Sequence, residues 1–449
     1  MKERIKVGVA YMSPSFGAVG DPPKSEEWLE ERRGRASARL RERFPEIEFS
    51  WRDIKSQSDV DKFLRKETDA AGYIVFLMQG INELSRPILH SGKPIILISE
   101  TYGGSGDYLL EYGRAKEAGY PINGLVTRDI GCDEVLEKVT LLEVIGKLKD
   151  SKVIFLVAPG TYHQLNLQHP LNNDMISMIR NMQTVYGVIS IPLDVLEFKK
   201  KYYEKVEEEE VKRLAERWIK EASENREENI DEIKKSAKLY FAMQEVVKDY
   251  DANAIAVDCI LLYRRNFLDA WPCLGFMEFS KEGKIVPVCE ADAPSAICLL
   301  IVKYLTGLPG FINDPSPDDT KSEVVYYHCY APINPFGEQK VPYTITSAHL
   351  VGKHASVFVE LPVNKTITAM GLDLNGNTLF LHRAEVISNE YSLHACSTKL
   401  IGRVNTKALA ENWRWRSGWH RVVVYGDWKE KLKDLASLLK LKVIEEDRL

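Results

Sequence analysis

Apolar and polar positions along the chain keep three different rhythms. From residue 5 to about 148, short unbroken apolar runs alternate with stretches of helical period. "IKVGVAYM", "GYIVFLMQG" and "KPIILISETYGG" are runs of the kind that strands buried on both faces require. "SEEWLEERRGRASARLRERF" and "VDKFLRKETDA" carry the one-sided apolar stripe of crossover helices. This β-α-β-α-β order predicts a doubly wound parallel sheet over residues 1–148. The same rhythm restarts at "SKVIFLVAPG" and runs through "GVISIPLDVLEF", a long helical region at about 201–250, "NAIAVDCILL" and "KIVPVCEAD", which predicts a second α/β domain over 149–306.

Beyond Asp314 the pattern becomes short alternating strands cut by Gly, Pro and Asn turns: "SEVVYYHCYAP", "VPYTITSAHL", "ASVFVELPV", "KTITAMGLDL", "NTLFLHRAEVIS" and "TKLIGRVN". "DLNGNTL" is a hairpin signal. The third segment, 307–449, therefore reads as a mainly antiparallel β-domain that closes on a strand-helix-strand. The expected fold class is α/β: two doubly wound parallel α/β domains followed by a C-terminal, mainly antiparallel β-domain.

Composition narrows the function. The chain has 449 residues, 45% apolar and 28% charged, a soluble globular profile too long for one ordinary core. A net charge of −5 gives no basic surplus for nucleic acid. No apolar run approaches the roughly 20 residues that span a bilayer. An acid near the start, and Lys6 inside the first apolar run, argue against a signal peptide, so a cytoplasmic location is the default expectation. Seven cysteines without paired short spacing argue against a disulfide framework or a zinc ribbon.

The chemistry concentrates in "VCEADAPSA". Asp292 precedes a helical run with Pro294 in its first turn and Gly307 at its stop, so Asp292 reads as an N-cap. Glu290 has no such explanation. It stands at the carboxyl end of a strand, where open α/β sheets bind ligands. A third acid, Asp314, lies 24 positions on, and the segment after the helix is long enough to bring it back. Spacing alone leaves open whether the two meet. His420, before "RVVVYG", reads as a strand-edge histidine, and His328, in "VVYYHCYAP", as a core histidine. Asp258 follows a strand end and is a candidate for the cleft wall. Cys289 reads as a small buried residue.

The segment "CEADAPSAICLLIVKYLTGLPGFINDP" resembles the corresponding part of the L-fucose isomerase and L-arabinose isomerase superfamily. Its acid-polar-acid start, its helix ending in "LTG-x-P" and the 24-residue step from Glu290 to Asp314 are similar to the L-fucose isomerase branch. The ending "WHRVVVYGDWKEKLKDLASLLKLKV" is similar to that branch's C-terminus. The resemblance implies an aldose–ketose isomerase in which Glu290, Asp314 and His420 bind a divalent metal, Mn²⁺ with Mg²⁺ or Co²⁺ as alternatives. Glu290 and Asp314 would also be the acid/base pair that moves a proton through an enediol.

The resemblance places His328 beside the site, where the arabinose isomerase branch has a second ligating histidine. "IVFLMQGINELSRPILHSGKPIILIS", with Gln79, is similar to a segment that faces a neighbouring subunit's site. A homo-oligomer, trimer or hexamer, and a monosaccharide substrate follow from the same resemblance. Trp419 is a departure, because the L-fucose isomerase branch usually has asparagine before the metal histidine. The departure bears on the substrate and not on the metal ligands. His328, Trp419, Gln79 and Asp258 are the expected substrate-binding residues. Two other classes stay open: a non-catalytic sugar-binding or regulatory relative on this scaffold, and another metal-dependent sugar epimerase or aldolase.

Overall fold

A computed structural model describes residues 4–14, 24–80, 83–159, 175–347, 355–392 and 394–449. His349 and His354, which lie among the β-domain strand patterns without a close pair at helical spacing and so read as structural histidines, are outside the described residues. Contacts divide the chain into two compact units, Met1–Lys147 with Lys431–Lys442, and Leu148–Glu430 with Val443–Leu449. Among the described residues no helix is long and apolar enough to cross a membrane.

The first unit holds β1 (Ile5–Met12), β2 (Ile47–Ile54), β3 (Gly72–Leu77), β4 (Ile95–Glu100) and β5 (Ile122–Thr127), all parallel, in the order β2-β1-β3-β4-β5. This is a doubly wound order, with its switch point between β1 and β3. β3 and β4 are buried along their whole length, which is why they read as unbroken apolar runs. The helix Lys429–Leu438 belongs largely to this unit, where Asp434 accepts from Asn123 Nδ2 (2.8 Å) and Lys138 Nζ (2.6 Å).

The second unit opens with β6 (Lys152–Val157), β7 (Ile189–Asp194), a two-residue β8 (Glu224–Asn225), β9 (Ala254–Val257) and β10 (Val286–Cys289). Its parallel sheet runs β10-β9-β6-β7, again with the first strand inside and a switch point beside it. The helical region expected at 201–250 is two helices, Glu208–Glu221 and Ile230–Tyr250. The break comes where β8 pairs with a strand of the later β-region, and Asn229 caps the second helix by accepting from the Asp231 N–H.

Among the described residues nine further strands follow: β11 (Phe311–Asp318), β12 (Glu323–His328), β13 (Tyr343–Ser347), β14 (Ala355–Val359), β15 (Thr366–Asp373), β16 (Thr378–Asn389), β17 (Thr398–Arg403), β18 (Arg421–Tyr425) and β19 (Lys442–Glu445). The order β15-β18-β11-β12-β17-β16 closes on itself through β15–β16 pairing, giving an antiparallel barrel-like sheet with β19 added to β16. The fold is thus mixed α/β, with two parallel sheets and an antiparallel barrel-like sheet. The hairpin expected at "DLNGNTL" joins β15 to β16, and Asp373 Oδ1 accepts from the N–H groups of Asn375 and Gly376.

A buried ionic network ties this barrel. Arg421 is fully buried. Its Nε donates to Glu446 Oε2 (3.1 Å), and its guanidinium lies 3.7 Å over the Trp413 ring. Glu446 Oε2 lies 2.9 Å from His382 Nδ1, whose Nε2 lies 2.9 Å from the Tyr326 hydroxyl. Burial alone would push the Glu446 carboxyl up, but Arg421 and His382 bring it down to about 2. Glu446→Gln leaves Arg421 buried without its anion, and is expected to lower the unfolding free energy by about 3–5 kcal/mol in denaturant titration. Because the folded value is depressed, this contribution is complete above the ordinary carboxylate range. In the wild type it fades as pH falls through about 2, a loss that the Gln variant lacks.

Candidate active site

The carboxyl ends of β9 and β10 deliver the first acids. Asp258 follows β9 and Glu290 follows β10. The chain turns sharply there. Glu290 (φ 55°) and Ala291 (φ 51°) are both left-handed, although neither is glycine. Such residues cost on the order of 1–3 kcal/mol each and persist only where their surroundings hold them. Here the Ala291 N–H donates to Val257 O (3.0 Å) and the Asp292 N–H to Cys289 O (3.2 Å). The turn ends on Asp292, which caps the helix Ala293–Thr306. Its Oδ2 accepts from the Ser295 N–H (3.2 Å), Pro294 sits in the first turn, and Gly307 closes the helix with φ 71°.

Strand register supplies the rest. β18 pairs with β11 so that Arg421 faces Asn313, which sets His420 beside Asp314. On the other side of β11, Asp314 faces Tyr327, one residue before His328 at the end of β12. Pairing thus accounts for His420 beside Asp314, while His328 reaches the turn at Glu290 from the last position of β12. His420 Nε2 lies 3.3 Å from Asp314 Oδ1 and 3.8 Å from Glu290 Oε2, and His328 Nε2 lies 3.6 Å from Glu290 Oε1. One ligand atom each from Glu290, His328 and His420 fall within 4.8 Å of one another, the arrangement of a metal-binding group.

All of these side chains are buried. Nε2 of both histidines and Oδ1 of Asp314 have no hydrogen-bond partner among the described residues. Buried polar atoms left this way are costly unless a ligand satisfies them. A divalent cation would satisfy all three, so the donor set fits one.

The electrostatics agree. Burial pushes the His420 imidazole down, but Asp292, Glu290 and Asp314 together raise it to about 10. Burial likewise opposes the charge on His328, and Glu290 and Asp314 raise it. Burial raises Asp314 despite His420 and His328. Asp258 is pushed up to about 7 by burial, helped by Glu290. The surroundings favour positive charge at the imidazoles and make a bare carboxylate costly at Asp314.

Glu290, Asp314, His328 and Trp419 share the wall of a cavity of about 200 Å³ with Trp271, Tyr327 and four cysteines. Trp419 is half exposed at its edge. Asp258 is buried behind this wall and is not among its lining residues. Gln79 belongs to the first unit, at the end of β3, where its Oε1 accepts from the Lys24 N–H (3.3 Å). A larger cavity of about 290 Å³ lies at the amino end of β10. It is lined by residues such as Lys281, Lys303 and Asn334, and brings together no acid–imidazole group.

Asp292 has a second contact that the capping pattern did not announce. The oxygen that caps the helix also lies 3.2 Å from His420 Nδ1. A carboxylate at the far nitrogen is the kind of partner that orients a ligating imidazole, and here Nε2 is left facing Asp314 and Glu290. The only sequence signal was the second acid in "EAD", which the capping pattern fully explained.

No protein-family model matches the chain. Sulfoquinovose isomerase of Clostridium sp. (strain MSTE9) is 26% identical to it over 223 residues, which covers 46% of this chain and 46% of that protein. The chain is thus a distant relative of a sugar isomerase and matches less than half of that relative's length.

The double contact of Asp292 gives a separable test. Asn caps a helix about as well as Asp, whereas Ala costs about 1 kcal/mol. In the presence of chelator Asp292→Asn, which keeps the cap but loses the charge beside His420, is expected to lose less thermal stability than Asp292→Ala, which loses both. Both are expected to weaken divalent-cation binding about 10–100-fold by calorimetry, because the charge on His420 Nδ1 is gone.

Proposed function

We propose that the chain is a metal-dependent aldose–ketose isomerase acting on a monosaccharide. The observation that carries this reading is the convergence of Glu290, Asp314, His328 and His420, from four separate segments, on one buried point, with Glu290, Asp314 and His328 also lining the adjoining cavity. Glu290, His328 and His420 would hold the cation, with Asp314 beside them. Two carboxylates and two imidazoles suit Mn²⁺ or Co²⁺, with Mg²⁺ the weaker candidate. When bound, the cation supplies Lewis-acid polarisation of a sugar carbonyl and its neighbouring hydroxyl.

The side chains do the remaining work. A carboxylate takes the proton from the carbon beside the carbonyl and returns it to the adjacent carbon through an enediol. Glu290 and Asp314 are the pair within reach. Asp314, with its carboxyl raised by burial, is suited to hold a proton between the two transfers. Asp292 keeps Nε2 of His420 turned to Glu290 and Asp314, and Trp271 and Trp419 give the cavity apolar wall. Asp258 contributes a second raised carboxyl behind the wall. A role for Gln79 toward the sugar, and a homo-oligomeric trimer or hexamer, belong to the same reading. Tyr102, Leu109 and Leu110 leave apolar surface exposed on the first unit.

The sugar is an aldose of the fucose or arabinose type in this proposal, and the relative's name adds sulfoquinovose to the candidates. The test is a panel of these aldoses with Mn²⁺-loaded protein in D₂O, followed by NMR. The expected result is a ketose carrying deuterium at C1, and at C2 of any aldose re-formed from it, with no C–C bond broken. Chelation should abolish turnover, and Glu290→Gln and Asp314→Asn should each lower kcat by about 10²–10⁴-fold. Sugar binding without turnover, binding unaffected by chelator, or cleavage products would contradict it.

A further inference from the structure

Five of the seven cysteines gather near this cavity although they come from five separate segments. Cys259 opens the helix Cys259–Arg264, Cys273 opens the helix Cys273–Glu282, Cys289 ends β10, Cys329 follows β12 and Cys396 precedes β17. None is in a disulfide. Cys259, Cys289, Cys329 and Cys396 line the cavity itself. They form two close pairs: Cys329 Sγ lies 3.4 Å from Cys396 Sγ, and Cys259 Sγ lies 4.0 Å from Cys289 Sγ.

These separations are those of two sulfur ligands on one cation. With bonds of about 2.3 Å, the zinc–thiolate length, sulfurs at these spacings subtend about 95° and about 120°, and a tetrahedral pair needs about 3.8 Å, somewhat more for a larger soft cation. A small side-chain rotation brings either pair to that spacing. The pairs differ in how they are held. Cys259 and Cys289 are fixed at a helix start and inside a strand. Cys329 lies just past the end of β12, and Cys396 follows Ala395, whose left-handed φ of 58° places it in an irregular turn. Both are buried, and the Cys329 carbonyl accepts from the Val357 N–H (3.1 Å) and the Cys396 carbonyl from Lys399 Nζ (2.8 Å), so the backbone holds the two sulfurs at this spacing.

We propose that Cys329 and Cys396 form a chelating site for a soft, thiophilic cation of the copper(I) or cadmium(II) type, separate from the carboxylate–imidazole group beside it. Thiolates select soft cations, whereas carboxylates favour harder ones, so one cavity offers two sites of opposite preference. On binding, each thiol releases its proton to solvent and no oxidation state changes. Because His328 immediately precedes Cys329, a soft cation here would sit next to a residue of the first group.

The test uses the full chain with excess Mn²⁺ present, titrated with cadmium chloride and followed by the ultraviolet thiolate-to-cadmium charge-transfer band. The wild type is expected to develop the band and saturate at one equivalent. Cys396→Ala should bind about 100-fold more weakly, and the Cys329→Ser/Cys396→Ser double variant should lose the band. Cys259→Ser and Cys132→Ser should keep it. Should the double variant fail to fold by circular dichroism, the single Cys396→Ala variant decides. No band at one equivalent, or a band that survives the loss of Cys396, would overturn the proposal. The readout is the sulfur–cadmium band, so the result holds whether or not the protein isomerises a sugar.

Discussion

Negative charge held away from water governs the centre of the second unit. Glu290, Asp292 and Asp314 are each less than a tenth exposed, and all three approach one imidazole, His420. No lysine or arginine is among the described residues lining the cavity. Burying a carboxylate costs several kcal/mol unless it is paired, so three of them around one point demand positive charge there. The protein can meet that demand with imidazolium, which is why His420 is raised so far, or with a bound cation. Three carboxylates and two neutral imidazoles leave a charge that a divalent ion largely offsets.

The fold is built to hold this arrangement against its own cost. Two consecutive left-handed residues at Glu290 and Ala291 aim the first carboxylate, and backbone hydrogen bonds to β9 and β10 keep the turn in place. The adjacency of β18, β11 and β12 then fixes the other donors by register, without any requirement that they be near in sequence. Behind His420, the buried Arg421 donates to the His420 carbonyl (2.8 Å) and pairs with Glu446. The network reaches on to Tyr326, two residues before His328 and on the same face of β12. The two histidine-bearing strands thus rest on one ionic scaffold.

Much of the layering was legible from the sequence because it depends on local rhythm. Apolar runs marked β1, β3, β4 and β6, and alternating patterns marked the barrel strands. The break between the helices at 208–221 and 230–250 was not legible, since it is imposed by pairing of β8 with β13. Proximity of Glu290, Asp314 and His420 was compatible with spacing and implied by resemblance, but only strand register produces it. His328, at the end of the apolar run "VVYYH", read as a core histidine, which says that it is buried and nothing about what it faces. Asp292 was read as a cap, and its contact with His420 was invisible because the cap explained it completely. The cysteines are the limiting case. Spacing has no power over side chains that five unrelated segments bring to one place.

The most direct measurement is an anomalous-scattering map from crystals of the full chain grown with manganese. The account predicts one strong peak bounded by the carboxylate oxygens of Glu290 and Asp314 and by Nε2 of His328 and His420. A map that leaves this point empty while the protein is saturated with manganese, or that places the ion elsewhere, would contradict it.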